Sequence, residues 1–202
     1  MRITVFGAAG AVGSRVVTEA LRRGHDVTPV TRSPREGFVV ADATDVAQVA
    51  RLAGESDVVI SATRPVPGSE RDLVVTAKAL LEGVRRSAAR LIVVGGAATL
   101  RTPNGVLVHE EPGFPADILP IALACAEQHA VFTEESEVDW TYASPPAVIE
   151  PGERTGTYRL GLDDLLVDAE GKSEISMEDF AVALLDEVLH QKYRRMRFTA
   201  AY

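Results

Sequence analysis

The sequence predicts an α/β fold, a Rossmann-type doubly wound parallel sheet forming a single domain over residues 1–202 with a small C-terminal cap. Three observations predict it. Short apolar runs alternate with stretches of helical periodicity along the chain, as repeated βαβ units require. Residues 57–62 (Asp-Val-Val-Ile-Ser-Ala) form a nearly continuous apolar run, as expected of a strand covered by helices on both faces. The chain also opens with a short apolar run, a glycine-rich turn and a helical stretch, the first half of such a unit.

In order, Ile3 and Val5 belong to an apolar run too short for a helix, and it breaks at Gly7. Gly7, Gly10 and Gly13 follow at G-x-x-G-x-x-G spacing, and residues 11–23 read as a helix. Gly7 allows the tight turn, Gly10 lets the backbone approach a pyrophosphate, and Gly13 lets helix pack on strand. The helix N-terminus offers unpaired N–H groups and a positive dipole end to phosphate. Residues 26–31 are a second strand in which Pro29 cannot donate to a ladder, implying a locally unpaired position or a local irregularity. Residues 38–41 are a third strand ending at Asp42, and Asp45-Val-Ala-Gln48 caps a helix running to about residue 53. After the fourth strand, 57–62, Ser69-Glu-Arg-Asp72 caps a long helix to about residue 87. The fifth strand, 90–94, ends at Gly95-Gly96.

Residues 97–114 carry Pro103-Asn104-Gly105 and Pro112-Gly113, both turn signals, so they form a long loop. Loops at the carboxyl ends of strands are where open α/β sheets bind ligands. A helix over about 116–135 and a sixth strand over 138–143 follow, stopped by Ser144-Pro145-Pro146. Residues 145–175, turn-rich at 151–158, contribute a cap on the substrate side. Ser176-Met-Glu-Asp179 is a capping box for a helix to about 190, and 197–202 form a final strand.

Composition narrows the function classes. Hydrophobic residues make up 46% and charged residues 25% of the chain, the balance of an ordinary globular protein. A net charge of −8 repels nucleic acid and anionic membrane. No apolar stretch approaches the roughly 18 residues of a membrane span, and strand 1 follows Met1 without room for a signal peptide. Cys125 is the one cysteine, which fits a reducing compartment. The expectation is a cytoplasmic protein, monomer or homodimer, whose partner is a small molecule. The histidines are scattered, so no metal site is expected.

The cofactor-binding candidates are Gly7, Ala9, Gly10, Ala11 and Val12 in the first turn, Arg32 after strand 2, Asp42 and Ala43 after strand 3, Ala62 and Thr63 after strand 4, and Gly95 after strand 5. Sites that prefer NAD place an acidic residue at the end of strand 2 to hold the ribose hydroxyls. Here Thr31-Arg32-Ser33 stands there, and arginine pairs with a 2′-phosphate. NADP(H) is therefore expected over NAD(H), with Arg32 as discriminator. Gly96, Ala97 and Phe114 are the substrate-side candidates. No catalytic residue is named: a Tyr-x-x-x-Lys pair would lower the tyrosine pKa across one helical turn, but the positions four after Tyr142, Tyr158 and Tyr193 are Pro146, Leu162 and Arg197. His109-Glu110-Glu111 offers a proton relay or a solvated loop histidine. Cys125 reads as a buried apolar thiol, and Arg154 and Arg159 as anion binders or structural residues. Hydride transfer to a flavin ring needs close approach but little protein proton transfer, which suits such a site.

Gly7-Ala-Ala-Gly10-Ala-Val-Gly13, Arg23-Gly-His-Asp-Val27, Val59-Ile-Ser61, Val94-Gly-Gly-Ala97, Asp139-Trp-Thr-Tyr-Ala-Ser-Pro145, Pro151-Gly-Glu-Arg-Thr-Gly156, Ile175-Ser-Met-Glu-Asp179 and Arg197-Phe-Thr199 occur in that order. Together they resemble the NADH-flavin reductase family, atypical short-chain dehydrogenase/reductases related to NmrA-like and biliverdin reductase B proteins. The resemblance spans essentially the whole chain. It implies an NAD(P)-binding Rossmann domain and an NAD(P)H-dependent oxidoreductase passing hydride from NADPH to a flavin, quinone or other planar acceptor. The alternative is a non-catalytic NADP(H)-sensing regulator of the NmrA type.

Overall fold

The computed structural model describes residues 1–202. One eight-stranded sheet carries the fold, in the order β3-β2-β1-β4-β5-β6-β10-β8. Its strands are β1 (Arg2–Phe6), β2 (Asp26–Thr31), β3 (Val39–Val40), β4 (Val58–Ser61), β5 (Arg90–Val94), β6 (Trp140–Ser144), β8 (Arg159–Gly161) and β10 (Met196–Ala201). Every pairing in it is parallel except the β10–β8 edge. Strands β7 (Val148–Glu150) and β9 (Glu174–Ser176) form a separate parallel pair.

Side-chain alternation divides the core into two layers. Ile3, Val5, Val58, Ile60 and Ile92 pack against Val16 and Ala20 of α1 (Ala11–Arg22) and against Phe180, Leu184 and Val188 of α5 (Met177–His190). On the opposite face, Phe6, Val59, Leu91, Val93 and Tyr142 meet residues of α2 (Val46–Gly54), α3 (Asp72–Arg85) and α4 (Leu119–Thr133). Pro29 is accommodated by register. Asp26 and Val30 bond to the β1 side and Thr31 to the β3 side, so Pro29 turns its missing N–H toward β3, whose pairing begins only at Val30.

Several element limits differ from the sequence reading for identifiable reasons. Helix α3 starts at Asp72 because Ser69 forms a turn, its carbonyl accepting the Asp72 N–H, and Glu70 turns back to the Gly68 N–H. Helix α4 starts at Leu119, with Pro120 in its first turn where no N–H acceptor is needed. Strand β6 starts at Trp140 because Glu135 Oε1 holds the Val138 N–H in the preceding turn. The long loop contains a single 3-10 turn, Val108–Glu110, and it is tied to residues 163–165 through the Arg101 N–H and carbonyl. Strands β7, β8 and β9 were not read from the sequence, and β8 makes the sheet edge antiparallel rather than wholly parallel.

The turn-rich 151–158 segment is fastened to α1 and α5. Ser176 caps α5 by accepting the Asp179 N–H at 2.9 Å and donates to the Glu153 carbonyl. The fully buried Asp179 does not complete the expected reciprocal capping box; it accepts from Thr155 Oγ1 at 2.5 Å, Gly156 N–H at 2.7 Å and Tyr202 OH at 2.9 Å. Burial opposes its ionisation, but these donors outweigh burial and hold its carboxyl below the usual range. A carboxylate depressed in the folded state stabilises above its unfolded pKa, and that contribution is lost as pH falls through the folded value. Asp179→Asn is therefore expected to cost about 2 kcal/mol at pH 7 and to flatten the acid limb of stability below about pH 4. Urea titrations across pH that leave both unchanged would refute the role.

Candidate active site

Two connected cavities open along the carboxyl ends of the strands. A cleft of about 380 Å³ runs over the ends of β1, β2, β3 and β4, and a cavity of about 990 Å³ continues over β5 and β6. They share Gly10, Ala62, Thr63, Arg64, Pro65 and Leu73. The shared wall lies where the strand order reverses between β1 and β4, the crevice in which open α/β sheets take ligands.

The glycine turn is built as its spacing predicts. Gly7 has φ +74°, and a Cβ there would collide with the Ala62 carbonyl, while a Cβ on Gly13 would collide with the Gly7 carbonyl. Helix α1 therefore rests directly on the turn, and β1 lies close to the end of β4. Gly10 has φ −77° and no side chain caps α1. The N–H groups of Ala11, Val12 and Gly13 have no acceptor in the protein. Three free donors at a helix N-terminus beside a side-chain-free turn fit a pyrophosphate.

Every cofactor candidate named from the sequence lines one of these cavities. Gly7, Ala9, Gly10, Arg32, Asp42, Ala43, Ala62 and Thr63 border the cleft, and Ala11, Val12 and Gly95 border the larger cavity. Gly96, Ala97 and Phe114 line the larger cavity as well. Asp42 is oriented by its neighbours: its Oδ1 accepts from Thr44 N–H and Oγ1, and its N–H donates to Gln48 Oε1, while Gln48 Nε2 is held by the α2 cap Asp45. The adjacent Ala43 N–H has no partner. Carboxylate and free N–H side by side suit the edge of a purine. Arg15, Arg23, Arg90 and Arg197 are tied to carboxylates, whereas Arg32 and Arg64 pair with none and border the cleft.

Chemistry-bearing side chains are few around the larger cavity. Tyr142 is fully buried, its hydroxyl lies 3.2 Å from the Cys125 carbonyl and 3.0 Å from Gln128 Oε1, and burial pushes its phenol far above the usual range. Gly95 is required by this ring, since a Cβ there would fall on Tyr142. Cys125 lines the cavity, but burial pushes its thiol up to about 11, with Arg64 opposing weakly, so it remains protonated at neutral pH. His129 packs edge-on against Tyr142 and is pushed down to about 4 by burial and by Arg197. His109 does not line the cavity; its Nδ1 meets the Ala98 carbonyl at 2.7 Å. A carbonyl only accepts, so Nδ1 carries the proton and the ring anchors the long loop. Arg154 pairs with Glu19 at 2.8 Å and Arg159 donates to the Tyr202 and Val167 carbonyls, so both are structural here. No group of three His, Cys, Asp or Glu side chains is placed to hold a metal ion.

The sequence reading missed Arg64 and Pro65, which directly follow Ala62-Thr63, and the α4 face made by Ile121, Ala122, Cys125 and Gln128. Helical spacing marks that face, but only the fold turns it toward the cavity. Of the 145–175 cap, Pro145, Ala147, Ile149, Leu165, Val167 and Gly171 reach the lining, while β8 joins the main sheet instead.

A family model for NAD(P)H-binding proteins matches residues 7–191. The chain belongs to that NAD(P)H-binding family. It is 35% identical over 211 residues to the uncharacterized protein YwnB of Bacillus subtilis (strain 168), covering 98% of this chain and 97% of the relative. Among solved structures, a Burkholderia pseudomallei protein described as a "putative exported protein" is 40% identical with a TM-score of 0.92, covering 100% of both chains. A Streptococcus pneumoniae TIGR4 protein described as a "putative NADH-flavin reductase" is 27% identical with a TM-score of 0.92, over 100% of this chain and 99% of the other. The family member described here is thus NAD(P)H-binding and oxidoreductase-like. None of its helices is long and apolar enough to cross a membrane.

Proposed function

We propose that the protein is an NADPH-dependent reductase acting on a flavin or another planar acceptor. The observation that carries this reading is the largely apolar cavity that opens directly from the glycine-turn cleft and is lined by no tyrosine, histidine or lysine. Ala11, Val12 and Gly13 N–H groups would hold the pyrophosphate, Arg32 the 2′-phosphate, and Asp42 with the Ala43 N–H the adenine. Ala62 and Thr63 would border the central part of the cofactor. Bound there, the reduced nicotinamide supplies a hydride, and water supplies the balancing proton. Gly95 and Gly96 border the cavity while making room behind them for the Tyr142 ring and the Cys125 thiol, and transfer there would need an approach of about 3–3.5 Å. Apolar walls at Ala97 and Phe114 exclude water from one side. A cytoplasmic location suits this reading, because Cys125 is unpaired.

The test is NADPH consumption with FMN, riboflavin and menadione, beside the same assays with NADH. Turnover with at least one acceptor, faster with NADPH, is expected. No turnover, combined with different affinities for NADP⁺ and NADPH, would replace the reductase by a nicotinamide-sensing regulator of the NmrA type.

A further inference from the structure

We infer that Arg64 is the cation of the acceptor site, where it holds the negative charge that hydride transfer places on a neutral flat ring. The inference deepens the reductase reading and rests on it. The acceptor gains a hydrogen together with both electrons of the nicotinamide C4–H bond; the nicotinamide is oxidised and a neutral acceptor becomes an anion. That charge sits on ring nitrogen and carbonyl oxygen of a flavin, or on a ring oxygen of a quinone, until water supplies the proton. A fixed countercharge that meets the anion but not the neutral ring speeds the transfer. Two charged side chains line the larger cavity, Arg64 and Glu111. Glu111 stands in the long loop, where its Oε1 accepts from Asn104 Nδ2 at 3.4 Å, and it repels an anion. Arg64 stands in the wall shared with the cleft, just past β4. Its side chain enters no ion pair or hydrogen bond, so its five N–H donors are free. Its charge reaches Cys125 of α4 and opposes the effect of burial on that thiol. Cys125 Sγ lies behind Gly96, 2.8 Å from where a Cβ of Gly96 would stand. The field of Arg64 therefore acts inside the larger cavity and not in the cleft alone. The negative end of the reduced acceptor lies toward Arg64 and away from Glu111.

The experiment compares full-length wild type with Arg64→Met and Arg64→Lys. Arg64 is exposed and unpartnered, so neither substitution removes an internal contact. Binding is titrated on protein saturated with NADP⁺, which permits binding without turnover, with menadione and 2-hydroxy-1,4-naphthoquinone as probes. The two quinones have nearly the same shape, but the second is an anion at neutral pH and mimics the charge of a reduced acceptor. Arg64→Met should weaken the anionic quinone about tenfold and menadione less than about threefold, and Arg64→Lys should keep most of the preference. At saturating NADPH, kcat with menadione should fall about tenfold in Arg64→Met and recover in Arg64→Lys. Losing a donor in a closed site costs on the order of 10²–10³, and water around the exposed Arg64 screens its charge to less than that. An unchanged ratio of the two affinities in Arg64→Met, or an unchanged kcat beside wild-type turnover, would overturn the inference alone. A loss confined to NADP⁺ and NADPH affinity would overturn it too and assign Arg64 to the cofactor phosphates. Arg64-dependent binding of the anionic quinone without NADPH consumption by wild type would instead overturn the reductase reading and leave Arg64 as an anion site.

Discussion

Arg32→Asp is expected to weaken NADPH binding by about 100-fold while changing NADH affinity by less than about threefold. Arg32 follows β2, borders the cleft and has no carboxylate partner, so its substitution removes no internal ion pair and should leave the fold intact. The loss has two sources: a charge-assisted pair to the 2′-phosphate disappears, and a carboxylate is set against that phosphate. For NADH the new carboxylate meets a ribose diol, which it can accept from. Fluorescence or calorimetric titration of both nucleotides checks this. Equal losses for the two would show that Arg32 does not read the 2′-phosphate.

Gly13→Ala is expected to abolish measurable nucleotide binding and to destabilise the fold by about 1–3 kcal/mol. The added methyl would collide with the Gly7 carbonyl and crowd the Ala8 Cα, so α1 must lift off the turn it rests on. Gly10→Ala separates the two effects. Gly10 has ordinary extended backbone, and a Cβ there would sit 3.2 Å from the Gly7 carbonyl. The fold can absorb that methyl, but it stands beside the free N–H groups of α1. Binding should therefore fall in Gly10→Ala while its denaturation midpoint stays near wild type. Full-strength nucleotide binding by Gly13→Ala would remove the glycine turn from the site.

Much of the cleft was legible because its determinants are local. The positions of Gly7, Gly10 and Gly13 are fixed by a turn that only a few residues make, and Arg32, Asp42 and Thr63 follow strands recognisable from their apolar runs. The Asp45 cap of α2 and the Ser176 cap of α5 were readable for the same reason. The ends of α3 and α4 were not, since Ser69 and Ala116 are helix-compatible residues that the surrounding turns claim first. Short strands such as β7, β8 and β9 carry too few residues to show a period, and their pairing partners lie 26 to 42 positions away along the chain.

The sequence by itself determined the alternation of strands and helices, the glycine turn on which α1 rests, the absence of a Tyr-x-x-x-Lys pair, and the basic residue after β2. These depend on spacing and residue type within a few positions, where backbone sterics and periodicity act directly. Tertiary structure alone decided the rest. It buried Tyr142 behind Gly95, turned Arg154 to Glu19 and Arg159 to backbone carbonyls, and left Arg64 unpaired at the junction of cleft and cavity. It also brought Gln128 of α4 beside a β6 tyrosine at the wall of the cavity. Whether a polar group is spent on an internal partner or left for a ligand depends on contacts between residues far apart in the chain, which no local pattern encodes.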